Sequence, residues 1–108
     1  MSTPVAKCAL LADRHHGLSE GVRGLLGTVF EVVVMVADEP SLLESAERLA
    51  PALAVVDLSL THGERFGWLS RLRARCPDLR VIVLSVHDEP SVMQAALAAG
   101  ADAFILKR

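Results

Sequence analysis

Short apolar runs alternate in this chain with stretches whose apolar residues return at helical spacing. Residues 6–12 form the first run and read as a strand. Leu18, Val22, Leu25, Leu26 and Val29 then follow the i, i+4, i+7, i+8 stripe of an amphipathic helix. Residues 31–37 are rich in valine, whose branched β-carbon suits a strand. Pro40 and Ser41 open the next helix, with Ser41 as N-cap and Glu44 three residues on as its capping-box partner. Pro51 breaks that helix, and residues 53–56 form a third strand. Residues 61–64 read as loop. Phe66, Leu69 and Leu72 mark a third helix, stopped at Cys76 because the residue before a proline disfavours helical torsions. Residues 80–84 are a fourth strand, Pro90 and Ser91 open an Ala-rich helix that Gly100 ends, and residues 103–106 are a fifth strand.

The resulting order is βαβαβαβαβ. Strands that are apolar almost throughout are buried on both faces, as in parallel sheets. Right-handed crossovers then put helices on both sides, giving a doubly wound α/β domain. Such a domain normally ends with a helix after its last strand, and these 108 residues contain none. The expectation is a chain cut short there, or another surface, such as a second copy, over the uncovered sheet face.

Four polar residues sit where apolar runs stop. Asp13 follows Leu10-Leu11-Ala12, Asp57 follows Val55-Val56, Ser85 follows Val83-Leu84 and Lys107 follows Ile105-Leu106. In an open parallel sheet these positions meet at the carboxyl edge, where ligands bind. Two carboxylates, a hydroxyl and an ammonium gathered there suit the uptake of a phosphoryl group. Taken singly, each has a plainer reading: Asp57 capping a loop, Ser85 closing a turn, Lys107 at the surface.

The length fits one domain, residues 1–108, and 52% hydrophobic residues supply a core. A net charge of −2 gives no general reason to expect nucleic acid or an anionic membrane as partner. Arg65, Arg71, Arg73, Arg75 and Arg80 cluster along the sequence, as a solvated helix face or a docking patch. Cys8 and Cys76 lack metal-ligand spacing and read as ordinary thiols in a reducing compartment. No signal-peptide pattern stands at the N-terminus, where Lys7 interrupts the run, and no apolar run approaches a membrane span. A soluble cytoplasmic protein is the expectation.

Taken in order, the motifs resemble the receiver domain of bacterial two-component response regulators. Asp13-Arg14-His15 followed by Glu20-Gly21-Val22-Arg23-Gly24-Leu25-Leu26 is similar to the opening of the NarL/FixJ-type subfamily. Val55-Val56-Asp57-Leu58-Ser59-Leu60 looks like a phosphoacceptor segment, Val83-Leu84-Ser85 carries the small-hydroxyl position, and Ala99-Gly100-Ala101-Asp102-Ala103-Phe104-Ile105-Leu106-Lys107 matches the last signature. The resemblance implies a flavodoxin-like five-stranded sheet of order 2-1-3-4-5. It implies that Asp57 takes a phosphoryl group from a histidine kinase or phosphotransfer protein. Lys107 would neutralise the phosphoryl oxygens, and Ser85 would donate its hydroxyl. Phe104 would follow the motion of Ser85 as the aromatic switch. Mg²⁺ would be held by Asp13, Asp57 and the backbone carbonyl of Ser59. Downstream it implies a DNA-binding output domain that lies outside these residues. No turnover of a separate substrate is implied.

Arg14 departs from the pattern, standing where a second acid is expected. A guanidinium cannot ligate a cation. Two unit charges about 4 Å apart interact by about 4 kcal/mol at an effective dielectric near 20. Arg14 can point to solvent and leave a weakened metal site, swing in and pair with Asp57, or stand in for part of the metal's charge. The second arrangement would make the chain a phosphorylation-independent interaction module. Thr61 and Arg65 also depart from the family's usual Pro and Gly. His62 reads as an exposed loop residue, His15 and His16 as helix-entry residues, and His87 as a loop residue. A nucleotide-binding doubly wound domain is disfavoured, because His15-His16-Gly17 makes no Gly-rich phosphate loop after the first strand.

Overall fold

The computed structural model describes residues 8–14, 16–60, 66–86 and 88–106, with the backbone alone for residues 16–20. Strand β1 (Cys8–Ala12) leads to α1 (His16–Gly27), β2 (Val32–Val36), α2 (Glu39–Leu49) and β3 (Leu53–Asp57). A 3₁₀ turn (Leu58–Leu60), α3 (Gly67–Arg75), β4 (Arg80–Ser85), α4 (Pro90–Ala98) and β5 (Ala103–Leu106) complete the order. The strands pair in parallel as β2-β1-β3-β4-β5, the expected order.

Strand alternation splits the sheet's side chains between two layers. Leu10, Ala12, Ala54, Val56, Val81 and Val83 face α2, α3 and α4, and meet Leu42 and Ala46, Trp68 and Leu72, and Val92 and Ala96 from those helices. Trp68 is fully buried at the centre of this larger core. On the other face, Leu11, Val55 and Leu84 pack with Val22 and Leu26 of α1.

Two details of the sequence reading change. The N-cap of α2 is Asp38, not Ser41: the Asp38 carboxylate accepts the Ser41 N–H at 2.8 Å. Pro40 then falls in the first turn, where a missing N–H costs nothing. The carboxylate is the better acceptor there, and the bond holds the Asp38 carboxyl below its ordinary range. Of the α1 stripe, Val22 and Leu26 pack on the sheet, but Leu25 is 71% exposed and Val29 lies past the helix at 64%. One helix on this side cannot turn both flanks of its stripe onto the sheet. Leu18 belongs to the stretch described by backbone alone.

The other elements follow their signals. α3 ends at Arg75, with Cys76 as C-cap before Pro77. Gly100, after α4, takes a φ of +119°, a torsion that glycine alone adopts freely. The C-cap of α2 is Ala50 at φ 47° and ψ 56°, a left-handed conformation that costs a residue with a Cβ.

Candidate functional site at the carboxyl edge of the sheet

The register brings the strand-end polar residues together. Ala12 of β1 lies opposite Val56 of β3, so Asp13 and Asp57 are the next residues on neighbouring strands. Asp57 itself lies opposite Leu84, and Ser85 comes next on β4. Ser85 in turn lies opposite Leu106 of β5. Asp13, Asp57 and Ser85 are 3%, 2% and 1% exposed, the most deeply placed polar groups along this edge.

Each is held by local backbone. The Asp13 N–H donates to the Val36 carbonyl at 3.0 Å, which extends the β1–β2 ladder by one rung and fixes where β1 stops. The Ser59 N–H donates to Asp57 Oδ1 at 2.8 Å. That bond closes a tight turn into Leu58–Leu60 and sets the plane of the carboxylate. Leu58 and Leu60 are buried beside it, whereas Ser59 is exposed. The turn thus anchors apolar side chains inward and turns its middle residue to the rim. Among the described residues, no buried side-chain nitrogen or oxygen lacks a hydrogen-bond partner.

Two carboxylates are deeply buried on adjacent strands, and burying a charge is costly unless it is hydrogen-bonded or paired. They offer hard oxygen donors of the kind that Mg²⁺ takes along with waters and substrate oxygens. The donor set therefore fits such an ion, with one carboxylate fewer than an acid pair at positions 13 and 14 would give. Among the described residues, no group of three or more His, Cys, Asp or Glu gathers to hold a metal. Arg14 is exposed, at the bend after β1, in contrast to its neighbour Asp13.

Phe104 is half-buried on β5, packs against the larger core and lies opposite Val83 of β4. It is thus one residue along the ladder from the Leu84–Ile105 rung and two from Ser85. Lys107, His15, Thr61, His62, Arg65 and His87 lie outside the described residues, and His16 is described by backbone alone.

Three of the clustered arginines are engaged in ion pairs. Arg71 pairs with Glu39 of α2 at 2.7 Å, and Arg75 with Glu47 at 3.8 Å. Arg73 is folded inward onto Asp102 at 2.5 Å. Sequence reading had no access to that pair, since 29 residues separate its members. Both cysteines are free thiols, as expected. Burial pushes both thiols up, and at Cys76 the Glu47 carboxylate adds to the rise while Arg75 opposes it. A groove of about 370 Å³ lies between the C-terminal ends of α2 and α3, lined by Ala50, Cys76 and Leu79 among others. It is at the opposite end of the strands from Asp57 and has no part in the edge site.

Known proteins match this arrangement. The family model described as the response regulator receiver domain matches residues 9–108. The nitrate/nitrite response regulator protein NarL of Escherichia coli (strain K12) is 30% identical over 109 residues, spanning 99% of this chain and 50% of that protein. The signal receiver domain of a NarL response regulator from Mycobacterium tuberculosis superposes with a TM-score of 0.81 at 26% identity, covering 95% of this chain and 85% of that one. A response regulator from Burkholderia pseudomallei, solved with a phosphorylated aspartic acid and a calcium ion, has the same fold at 24% identity, with a TM-score of 0.81 over 94% of this chain and 59% of that one. The chain spans about half the length of the curated relatives it matches.

Proposed function

This chain belongs to the response regulator receiver family, and from that premise we propose that Asp57 is its phosphoacceptor. The observation that carries the assignment is the burial of Asp13, Asp57 and Ser85 side by side at the ends of β1, β3 and β4. A carboxylate oxygen of Asp57 attacks the phosphorus of a phosphohistidine on a kinase or phosphotransfer protein. The new P–O bond makes an acyl phosphate, the P–N bond breaks, and the imidazole leaves with its electron pair.

The chain's own groups hold the geometry. The Ser59 amide fixes the Asp57 carboxylate at Oδ1. Ser85 donates its hydroxyl to the phosphoryl group, and Lys107, after β5, is the fixed positive charge that accompanies it. Asp13, Asp57 and the Ser59 carbonyl are the groups assigned to Mg²⁺, which when bound neutralises the phosphoryl oxygens. Arg14 puts a cation where an acid would add a ligand beside Asp13 and so lowers the affinity for that ion, while solvent at its exposed position limits the loss. Phe104 is the aromatic that follows Ser85 when the phosphoryl group arrives.

The partners are a histidine kinase or phosphotransfer protein upstream and, by analogy with the longer relatives, a DNA-binding transcriptional domain downstream. The free thiols fit the reducing cytoplasm, and among the described residues no helix is long and apolar enough to cross a membrane. A homodimer through the α1 side of the sheet fits the exposure of Leu25, Val29 and Ile105. The alternative, a phosphorylation-independent interaction module, is the weaker reading, because the buried acid pair and hydroxyl are retained.

Intact mass after incubation with acetyl phosphate tests the assignment. The expected result is one added phosphoryl group in the wild type and none in Asp57→Asn. No gain in the wild type at any Mg²⁺ concentration would leave the interaction module standing.

A further inference from the structure

At the end of the strands opposite Asp57, Arg73 of α3 reaches into the turn between α4 and β5. Its Nε donates to the Gly100 carbonyl at 2.9 Å, Nη1 donates to the Leu79 carbonyl, and Nη2 meets Asp102 Oδ2 at 2.5 Å. The same Asp102 oxygen accepts the Val81 N–H at 2.8 Å, while the Asp102 N–H donates to the Val81 carbonyl at 2.8 Å. Asp102 therefore grips both backbone groups of Val81, one residue before the Ile82–Ala103 rung that starts the β4–β5 ladder. Gly100 completes the arrangement: a Cβ there would come within 3.0 Å of Arg73 Cγ. The turn is built around the guanidinium.

β5 is an edge strand of four residues, paired with β4 alone. A slip of one residue would exchange its two faces. Phe104, now against the core, would trade places with Ile105, which is 47% exposed. Every residue of the strand would also move by about 3.3 Å along it. A shift of about 1 Å at a reacting centre can cost about a hundredfold in rate. We propose that Arg73, acting through Asp102, is a positioning residue for phosphoryl transfer: it pins the register of β5 from the far end and so places the Ser85–Leu106 rung at the edge that carries Asp57. The fork of guanidinium donors is what the task needs, since three acceptors on two segments are bridged at once, and a lysine cannot reproduce that geometry. This inference rests on the reading of Asp57 as phosphoacceptor.

The test uses the whole chain as wild type, Arg73→Lys, Arg73→Ala and Asp102→Asn, with Leu43→Ala in α2 as a variant destabilised away from the node. Three quantities are read: the maximal rate of phosphoryl gain from acetyl phosphate, the Mg²⁺ concentration at half-maximal rate, and amide hydrogen exchange in each strand. Arg73→Ala and Asp102→Asn are expected to lower the maximal rate at least tenfold and to leave the Mg²⁺ midpoint within twofold, because the assigned metal ligands lie just after β1, at the end of β3 and in the turn that follows it. Amides of β5 are expected to exchange at least tenfold faster while those of β1 and β3 hold. Arg73→Lys, the variant least prone to misfold, is expected to show the same pattern at smaller size, and Leu43→Ala to keep the wild-type rate. Unchanged rates in Arg73→Lys and Asp102→Asn, or equal slowing in Leu43→Ala, would overturn the proposal. A wild type that gains no phosphoryl group removes the Asp57 reading and this role with it, whereas a reactive wild type beside unaffected node variants removes the pin alone.

Discussion

Asp13 and Asp57 stand one residue beyond the paired Ala12 and Val56 of adjacent strands, and both are almost completely buried. The register, rather than any loop, creates this pair. Burying two carboxylates side by side is costly unless they are hydrogen-bonded or paired with positive charge.

Removing half of the pair should stabilise the fold when Mg²⁺ is absent. Asp57→Asn keeps the shape and an acceptor for the Ser59 N–H, but deletes one of two adjacent buried charges. We expect a gain on the order of 1 kcal/mol, read as a rise of several degrees in the thermal midpoint without the ion. A fall in the midpoint would show that the two carboxylates are already fully compensated.

Arg14→Asp should tighten Mg²⁺ binding. The substitution replaces a repelling cation with a further carboxylate beside Asp13. Screening at the exposed position reduces the full Coulomb effect, which leaves at least about tenfold in affinity, or about 1.4 kcal/mol. The quenching or enhancement of the single tryptophan, Trp68, during a Mg²⁺ titration is one readout. Equal midpoints for both proteins would place Arg14 out of range of the ion.

Ala50→Gly should stabilise the protein by about 0.5–1 kcal/mol. Ala50 closes α2 with φ 47°, where a Cβ crowds the following carbonyl and glycine does not. Chemical denaturation with an unchanged dependence on denaturant concentration checks this. A loss of stability would mean that the greater freedom of glycine in the unfolded chain outweighs the relief.

Asp102 links stability to acid pH. The Val81 N–H, with Arg73 beside it, holds the Asp102 carboxyl below the ordinary carboxylate range. A group depressed in the folded state contributes stability above its unfolded pKa of about 3.9 and loses it as pH falls through the folded value. The stability difference between wild type and Asp102→Asn should therefore be constant from neutral pH to about pH 5 and close as the solution becomes more acid. A difference that does not change with pH would leave the ionised carboxylate without a role.

The edge site was legible in the sequence because each of its residues interrupts an apolar run, and a parallel sheet aligns such interruptions. Asp13, Asp57 and Ser85 could be placed by that rule alone. The start of α2 was read three residues late because Ser41 and Asp38 both suit an N-cap, and only the hydrogen bond to the Ser41 N–H decides between them. Leu25 and Val29 fitted a helical stripe, yet burial depends on how much of α1 the sheet can cover, which periodicity does not encode. Arg73 looked like one more surface arginine. Its role depends on a turn 27 residues away, and only the tertiary fold brings Gly100 and Asp102 to it.

The most direct test of the central claim is to locate the acyl phosphate chemically. The protein is treated with acetyl phosphate and Mg²⁺, reduced with borohydride so that an aspartyl phosphate becomes homoserine, digested and read by peptide mass spectrometry. The expected result is homoserine at position 57, dependent on the phosphodonor. Conversion at Asp13 or elsewhere, or an unmodified Asp57 in protein that has gained a phosphoryl group, would contradict the account.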